Sequence, residues 1–165
     1  MLQIADAVTN KLAGLLRSKN GVPAALTALL SEEEFTLPPV TPQQIICQNV
    51  APELSERSAG SKYPIICVYC SKLANELREK FRSFSGDAQM VIEARVSQDR
   101  LDELEMHLHA YADAITQVLD DNRGDWGDGV FYAGGYEVSF GSVKPGGRNF
   151  IQIAKVTLDL EISAD

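Results

Sequence analysis

Three groups of residues have types and spacings that could do chemistry. The first is residues 120–137, DDNRGDWGDGVFYAGGYE, where acids and glycines crowd around Trp126. A calcium loop of the EF-hand kind needs oxygen ligands at alternate positions, glycine at the sixth and glutamate at the twelfth. Counted from Asp120 the sixth residue is Asp125 and the twelfth Phe131; counted from Asp125 the twelfth is Tyr136. No register works. A phosphate cradle of the form G-x-x-x-x-G-K-[ST] is absent, and GDWGDG follows a helical stretch and precedes a strand-like one. That is the reverse of the order that sets phosphate on a helix N-terminus. The adhesion triplet RGD at 123–125 is a three-letter match and reads as chance.

The second group is Cys67-x-x-Cys70, the spacing of a redox pair or of half a zinc site. Redox pairs of this spacing open a helix, whose dipole lowers the thiol pKa. Here the first cysteine sits in an apolar, strand-like run, and a structural zinc would need two more ligands. Cys47 is the one other thiol, so core or edge cysteines are expected. The third group is His107 and His109 with the acids of DELE at 102–105. Two residues apart on a helix, the imidazoles point roughly 200° apart and cannot share a metal. Solvated helix-face histidines are expected, and the acids are explained by helix-start electrostatics. From these residues no catalytic centre, no metal site and no cofactor site is expected. The protein reads as a non-enzyme.

The elements around these groups follow from periodicity. In residues 2–18, Ile4, Val8, Leu12, Leu15 and Leu16 mark an amphipathic helix rather than a signal peptide, ended at Asn20-Gly21. Pro23 opens a short second helix, PAALTALL. A Pro-rich connector spans 31–44. Two short strand-like runs follow, IICQNV at 45–50 and PIICVY at 64–69, and SKLANELREKFRSF is expected to add a helical turn or two. AQMVIEARVS alternates as a half-buried strand, with Gln89, Glu93 and Arg95 on its polar side. A long helix from about Gln98 to Asp121 carries Leu101, Leu104, Leu108, Tyr111, Ile115 and Val118 on one stripe, with Asp99, Asp102 and Glu103 in its first turn. VFYAGGYEVSFGSV (130–143) and RNFIQIAKVTLDLEIS (148–163), joined by KPGG, read as an antiparallel hairpin with Gly134-Gly135 inside a strand.

The fold class expected is α+β: an antiparallel or mixed sheet of about four strands with helices packed on it. The 165 residues form one domain, with N-terminal helices 2–30, the connector 31–44, and the sheet and long helix 45–163. With 45% hydrophobic and 23% charged residues, composition is that of a soluble globular chain. Three cysteines, an odd number, fit a reducing compartment, and no apolar run approaches a membrane span, so no membrane association is expected. A net charge of −8 disfavours tight binding of a nucleic-acid backbone but not contact with DNA that slides past.

The aromatics Trp126, Phe131, Tyr132, Tyr136, Phe140 and Phe150 remain. They read either as a cap on the core or as a contact patch, and the two readings are compatible. In this setting the succession of strand AQMVIEARVS, long helix, RGDWGDGVFYAGGYEVSF and KPGGRNFIQIAKVTLDLEIS resembles tail terminator (neck, tail-completion) proteins of tailed bacteriophages and prophages. The likeness lies over residues 87–163 and rests on element order, size and the texture of the final hairpin. It implies a ring-forming subunit, usually a hexamer, that caps the tail tube and meets the head connector. Its partners would be itself, the tail tube protein and head connector or adaptor proteins, with DNA only in passage through the lumen. Such a protein is not an enzyme; it is made in the host cytoplasm and resides in the virion. A head-to-tail ring needs two different patches, and Arg123, Trp126, Tyr132, Tyr136 and Arg148 are the expected assembly residues. A small hydrolase or nucleotide-binding enzyme whose site is scattered in sequence, and a monomeric binding module, are the alternatives.

Overall fold

Two strands organise the protein; the first is longer than its alternation predicts and the second has the expected length. In the computed structural model, which describes residues 2–32, 36–55, 63–146 and 149–165, β3 spans Phe84–Gln98 and β8 spans Asn149–Ala164. They pair antiparallel without a break from Phe84 opposite Ala164 to Gln98 opposite Phe150. Successive side chains on a strand point to opposite faces. Ala88, Met90, Ile92, Ala94 and Val96 therefore share one face with Ala154, Val156, Leu158, Leu160 and Ile162, and all are buried.

Helices cover that face. Helix α1 (Leu2–Arg17) buries Val8, Leu12, Ala13 and Leu16, and α2 (Val22–Ser31) buries Val22 and Leu26. The stripe of α4 (Leu104–Asp121) buries Leu104, Leu108, Tyr111, Ala112, Ile115, Val118 and Leu119. A single apolar cluster runs from Val8 through these helices to Ile162. Tyr111 donates its hydroxyl hydrogen to the Pro38 carbonyl at 2.7 Å, which ties the Pro-rich connector onto α4. At the far end of α1, Arg17 Nε donates to the Ile45 carbonyl at 2.8 Å and holds β1 (Ile45–Ile46) in place.

Among the described residues the sheet is mixed and curled, with eight strands rather than about four. The order is β1, β2 (Ile65–Asn75), β3, β8, β5 (Val130–Tyr132) and β4 (Gly124–Gly127), with β6 (Tyr136–Phe140) and β7 (Lys144–Gly146) also on β8. β1 pairs parallel to β2, and every other ladder is antiparallel. The excess over four has one main source. The expected strand 130–143 is broken into β5 and β6, and Lys144–Gly146 adds β7 where a turn was expected. All three pair with successive parts of β8. Gly134, at φ +111°, and Gly135 lie in the first break rather than inside a strand.

Three further expectations change. SKLANELREKFRSF forms no helical turn. Its first residues extend β2, because pairing with β3 through Asn75 opposite Gly86 outweighs the helix propensity of Leu, Glu, Arg and Lys. The remaining residues, 76–83, make the loop that joins β2 to β3. Helix α4 begins at Leu104 and not near Gln98, since β3 continues through Gln98 and Glu103 adopts a left-handed conformation at φ 69°. Asp99 and Asp102 thus precede the helix. The run 45–50 keeps only a two-residue strand, followed by the short helix α3 (Pro52–Ser55).

Leu108 is fully buried between α4 and the sheet. Leu108→Ala is expected to lower the unfolding free energy by about 2–5 kcal/mol, through lost transfer energy and the cavity left behind. Urea denaturation measures this, and a loss under about 1 kcal/mol would mean that α4 does not seat on the sheet as described.

Candidate functional site

The loop that follows α4 is built from its helix end outward. Asn122 Nδ2 donates to the Val118 carbonyl at 2.7 Å, using an end-of-helix acceptor that would otherwise be unpaired. Trp126 Nε1 donates to the Asn122 carbonyl at 2.6 Å, and its ring tilts against Tyr132 with centroids 5.5 Å apart. Trp126 is half-buried and packs against the core cluster, so part of it caps the core while the rest faces out. Asp120 is the polar hub. It accepts from Arg123 Nη2 at 2.9 Å and from the Tyr136 hydroxyl at 3.3 Å. The Arg123 side chain lies across Gly134, where a Cβ would come within 2.9 Å of it. Glycine is required there by positive φ and by this close approach.

Of the five expected assembly residues, Arg123 and Tyr136 are brought together on Asp120, while Trp126 bonds to Asn122 and stacks on Tyr132. Tyr132 is not part of their surface. It is completely buried, with burial pushing its hydroxyl pKa up to about 12, and supports the patch from beneath. The physical reason is parity: Val130 and Tyr132 share the inward face of β5, while Phe131 points out. Arg148 lies outside the described residues.

The histidines also separate. His109 is exposed and meets the Phe140 ring edge-on at 4.6 Å. His107 is buried rather than solvated, hydrogen-bonded through Nδ1 to the Gln98 side chain. Burial lowers its pKa, opposed by Glu103 at 3.9 Å. Its position, three residues after Leu104 and four before Tyr111, puts it on the apolar stripe. Cys67 is buried in β2, with its thiol pKa raised by burial; Cys70 is half-buried and Cys47 exposed. Among the described residues no three His, Cys, Asp or Glu side chains gather as a metal set would.

A second site was not legible in the sequence. On the sheet face away from the helices, an open cleft of about 550 Å³ is bounded by residues 49–52, by Tyr69, by the β6–β7 connection and by Ile151, Ile153 and Lys155. Glu93 and Arg95 form its floor. They were expected on a solvated strand face, yet they are only 5% and 2% exposed. Arg95 donates from Nε and Nη2 to Glu93 Oε2 at 3.1 and 2.7 Å, and from Nη2 to the Val50 carbonyl. Glu93 Oε1 accepts from the Tyr69 hydroxyl at 2.9 Å, with Lys155 Nζ at 3.5 Å. Segment 49–52 crossing the strands is what takes this pair out of water.

No protein-family model matches the chain, and no curated protein matches it. The two sites therefore stand on their geometry.

Burial alone would raise the Glu93 pKa; hydrogen bonds from Arg95 and Tyr69, with the charges of Arg95 and Lys155, outweigh it and hold the pKa below normal. A depressed carboxylate pKa stabilises the fold above the unfolded-state value, about pH 4 for glutamate. That contribution is lost as pH falls through the lower folded-state value. Glu93→Gln should cost about 3–5 kcal/mol at pH 7, by leaving the Arg95 charge buried without its counter-ion. It should also lose less further stability than wild type between pH 4 and more acid conditions. Urea melts across this range check it; equal acid slopes would remove Glu93 as a source of acid sensitivity.

Proposed function

We propose that this chain is a ring-forming structural subunit of the tail terminator type. In this reading it assembles head-to-tail, as a hexamer by the resemblance, caps the end of a phage tail tube and presents a surface to the head connector. DNA passes through the lumen, and the protein resides in the virion. The observation that carries the reading is the exposure of large apolar side chains on the strands that pair with β8. Phe131, Phe140, Val143 and Phe150 all stand on or beside β5, β6, β7 and the start of β8, and all are exposed, Phe131 on the face of the sheet opposite to Phe140. An assembling subunit buries such groups against its neighbours. The Arg123–Asp120–Tyr136 cluster with Trp126 lies next to these strands, because Tyr136 begins β6. An acidic total charge of −8 is compatible with DNA passing without capture.

A second reading, a small ligand-binding module, draws on the cleft over Glu93 and Arg95. Its basic groups Arg95, Lys144 and Lys155 outnumber its one carboxylate. The two readings differ in solution mass.

Light scattering on the purified protein is expected to give a multiple of 18.0 kDa. Trp126→Ala should weaken that assembly, since truncating an aromatic anchor often costs about 2 kcal/mol or more of binding. A Trp126→Ala protein with full oligomer mass and a melting temperature lower by several degrees would assign Trp126 to the core alone. A wild type that stays at 18.0 kDa at high concentration would overturn the ring and favour the ligand-binding module.

A further inference from the structure

The loop joining β2 to β3 displays two large apolar side chains to water: Phe81 is 100% exposed and Leu77 65%. Both residues have positive φ, 67° and 49°, a conformation that side-chain-bearing residues rarely adopt. Such strain persists only where the surroundings over-determine it, and here they do. Arg78 donates from Nη1 and Nη2 to the two carboxylate oxygens of Asp87 at 3.1 and 2.6 Å, and from Nε to Glu76 at 2.6 Å. Arg82 pairs with Asp165 and lies 3.6 Å from Glu79, which in turn accepts from the Ser163 hydroxyl at 2.8 Å. Asn75 Oδ1 accepts from the amides of Leu77 and Ser85 at 3.2 and 3.0 Å. A loop this firmly tethered is built to hold a shape. The shape it holds points a phenylalanine into solvent, with Lys80 beside it.

The fold also contains a receptor of matching chemistry. Between α2 and the end of α4 lies an open groove of about 600 Å³. Ala24, Ala25, Ala28 and Leu29 give it a shallow apolar floor, and Glu32 and Asp121 put two carboxylates in its wall. Neither carboxylate has an ion-pair partner among the described residues, and neither does Lys80. Because Phe81 is fully exposed, the loop does not fill the groove of its own chain. The cleft over Glu93 is a poorer receptor, since Lys144 and Lys155 would oppose Lys80.

We propose that the β2–β3 loop of one copy docks into the α2–α4 groove of a second copy, Phe81 on the alanine floor and Lys80 against Asp121 and Glu32. The contact joins two different surfaces, so it is heterologous, and where its rotation closes it builds a ring. This deepens the ring reading and rests on it for closure, but it uses residues outside the Trp126 patch. Small residues in the groove admit an aromatic knob, and the charge pair sets its direction.

The test is sedimentation velocity on wild type, Phe81→Ser, Ala28→Arg, Lys80→Glu, and Lys80→Glu combined with Asp121→Lys. Phe81 and Lys80 are exposed, so their variants should melt with wild type, and Ala28→Arg challenges the groove from another element. Each single variant is expected to weaken self-association about tenfold or more. The double charge reversal should recover most of the loss. An oligomer unmoved by Phe81→Ser and Ala28→Arg would overturn the docking while leaving the ring reading in place. An oligomer sensitive to both that is a dimer or an open filament would keep the docking and overturn the ring. A wild type monomeric at every concentration would overturn both.

Discussion

The unbroken pairing of β3 with β8 is the constraint on which the rest of the molecule depends. Its register, Phe84 opposite Ala164 through Gln98 opposite Phe150, fixes which side chains face the helices and which face away. A slip of β8 by one residue would turn its own set over, placing Lys155 on the helix face and exposing Ala154 and Val156. Two features guard against that slip. The apolar set on the inner face is complete, and on the other face Glu93 and Arg95 are locked to each other and to Tyr69 of β2. A buried ion pair is weak evidence for stability, but its charges tolerate no misplacement.

From this ladder the chain departs in two directions. On the β2 side the strands run on to a rigid loop whose apolar tips face water. On the other side β8 is met by a chain that breaks twice, giving β5, β6 and β7 in place of one strand. Glycine at φ +111° permits the first break, and the Arg123 side chain lies across it. The sheet curls, and Phe131, Phe140 and Phe150 stay exposed on these strands and at the start of β8. The hairpin end and the strands on β8 thus both present apolar groups to water. The proposed ring gives each of them something to cover.

Period-2 and period-3.6 patterns made the main elements legible: α1, α2, the stripe of α4, and the strands β3 and β8. Their limits were set by tertiary contacts that periodicity does not carry. Helix propensity in KLANELREK was outweighed by ladder pairing, and Leu101, although in phase with the α4 stripe, is exposed ahead of a left-handed Glu103. The helix stop at Asn122 was readable from its conformational preference, but the shaped loop expected around Trp126 is in part strand β4, paired with β5. Tyr132 was misplaced because alternation inside a three-residue strand is too short to read. The cleft over Glu93 was not readable at all, since its walls come from residues 49–52, 69, 93–95 and 139–155 and depend on a segment folding over the outer face. His107 was an error the sequence could have corrected, since it is in phase with Leu104, Leu108 and Tyr111.

The central claim is the proposal that this subunit, with exposed apolar groups on its β2–β3 loop and on the strands beside β8 and a groove among its helices, is one segment of a closed ring. Negative-stain electron microscopy of the purified protein tests that claim directly, because it reports closure as well as mass. Class averages showing rotationally symmetric rings with a central opening are the predicted result. A field of single particles no larger than an 18.0 kDa monomer, or of open filaments without closed rings, would contradict it.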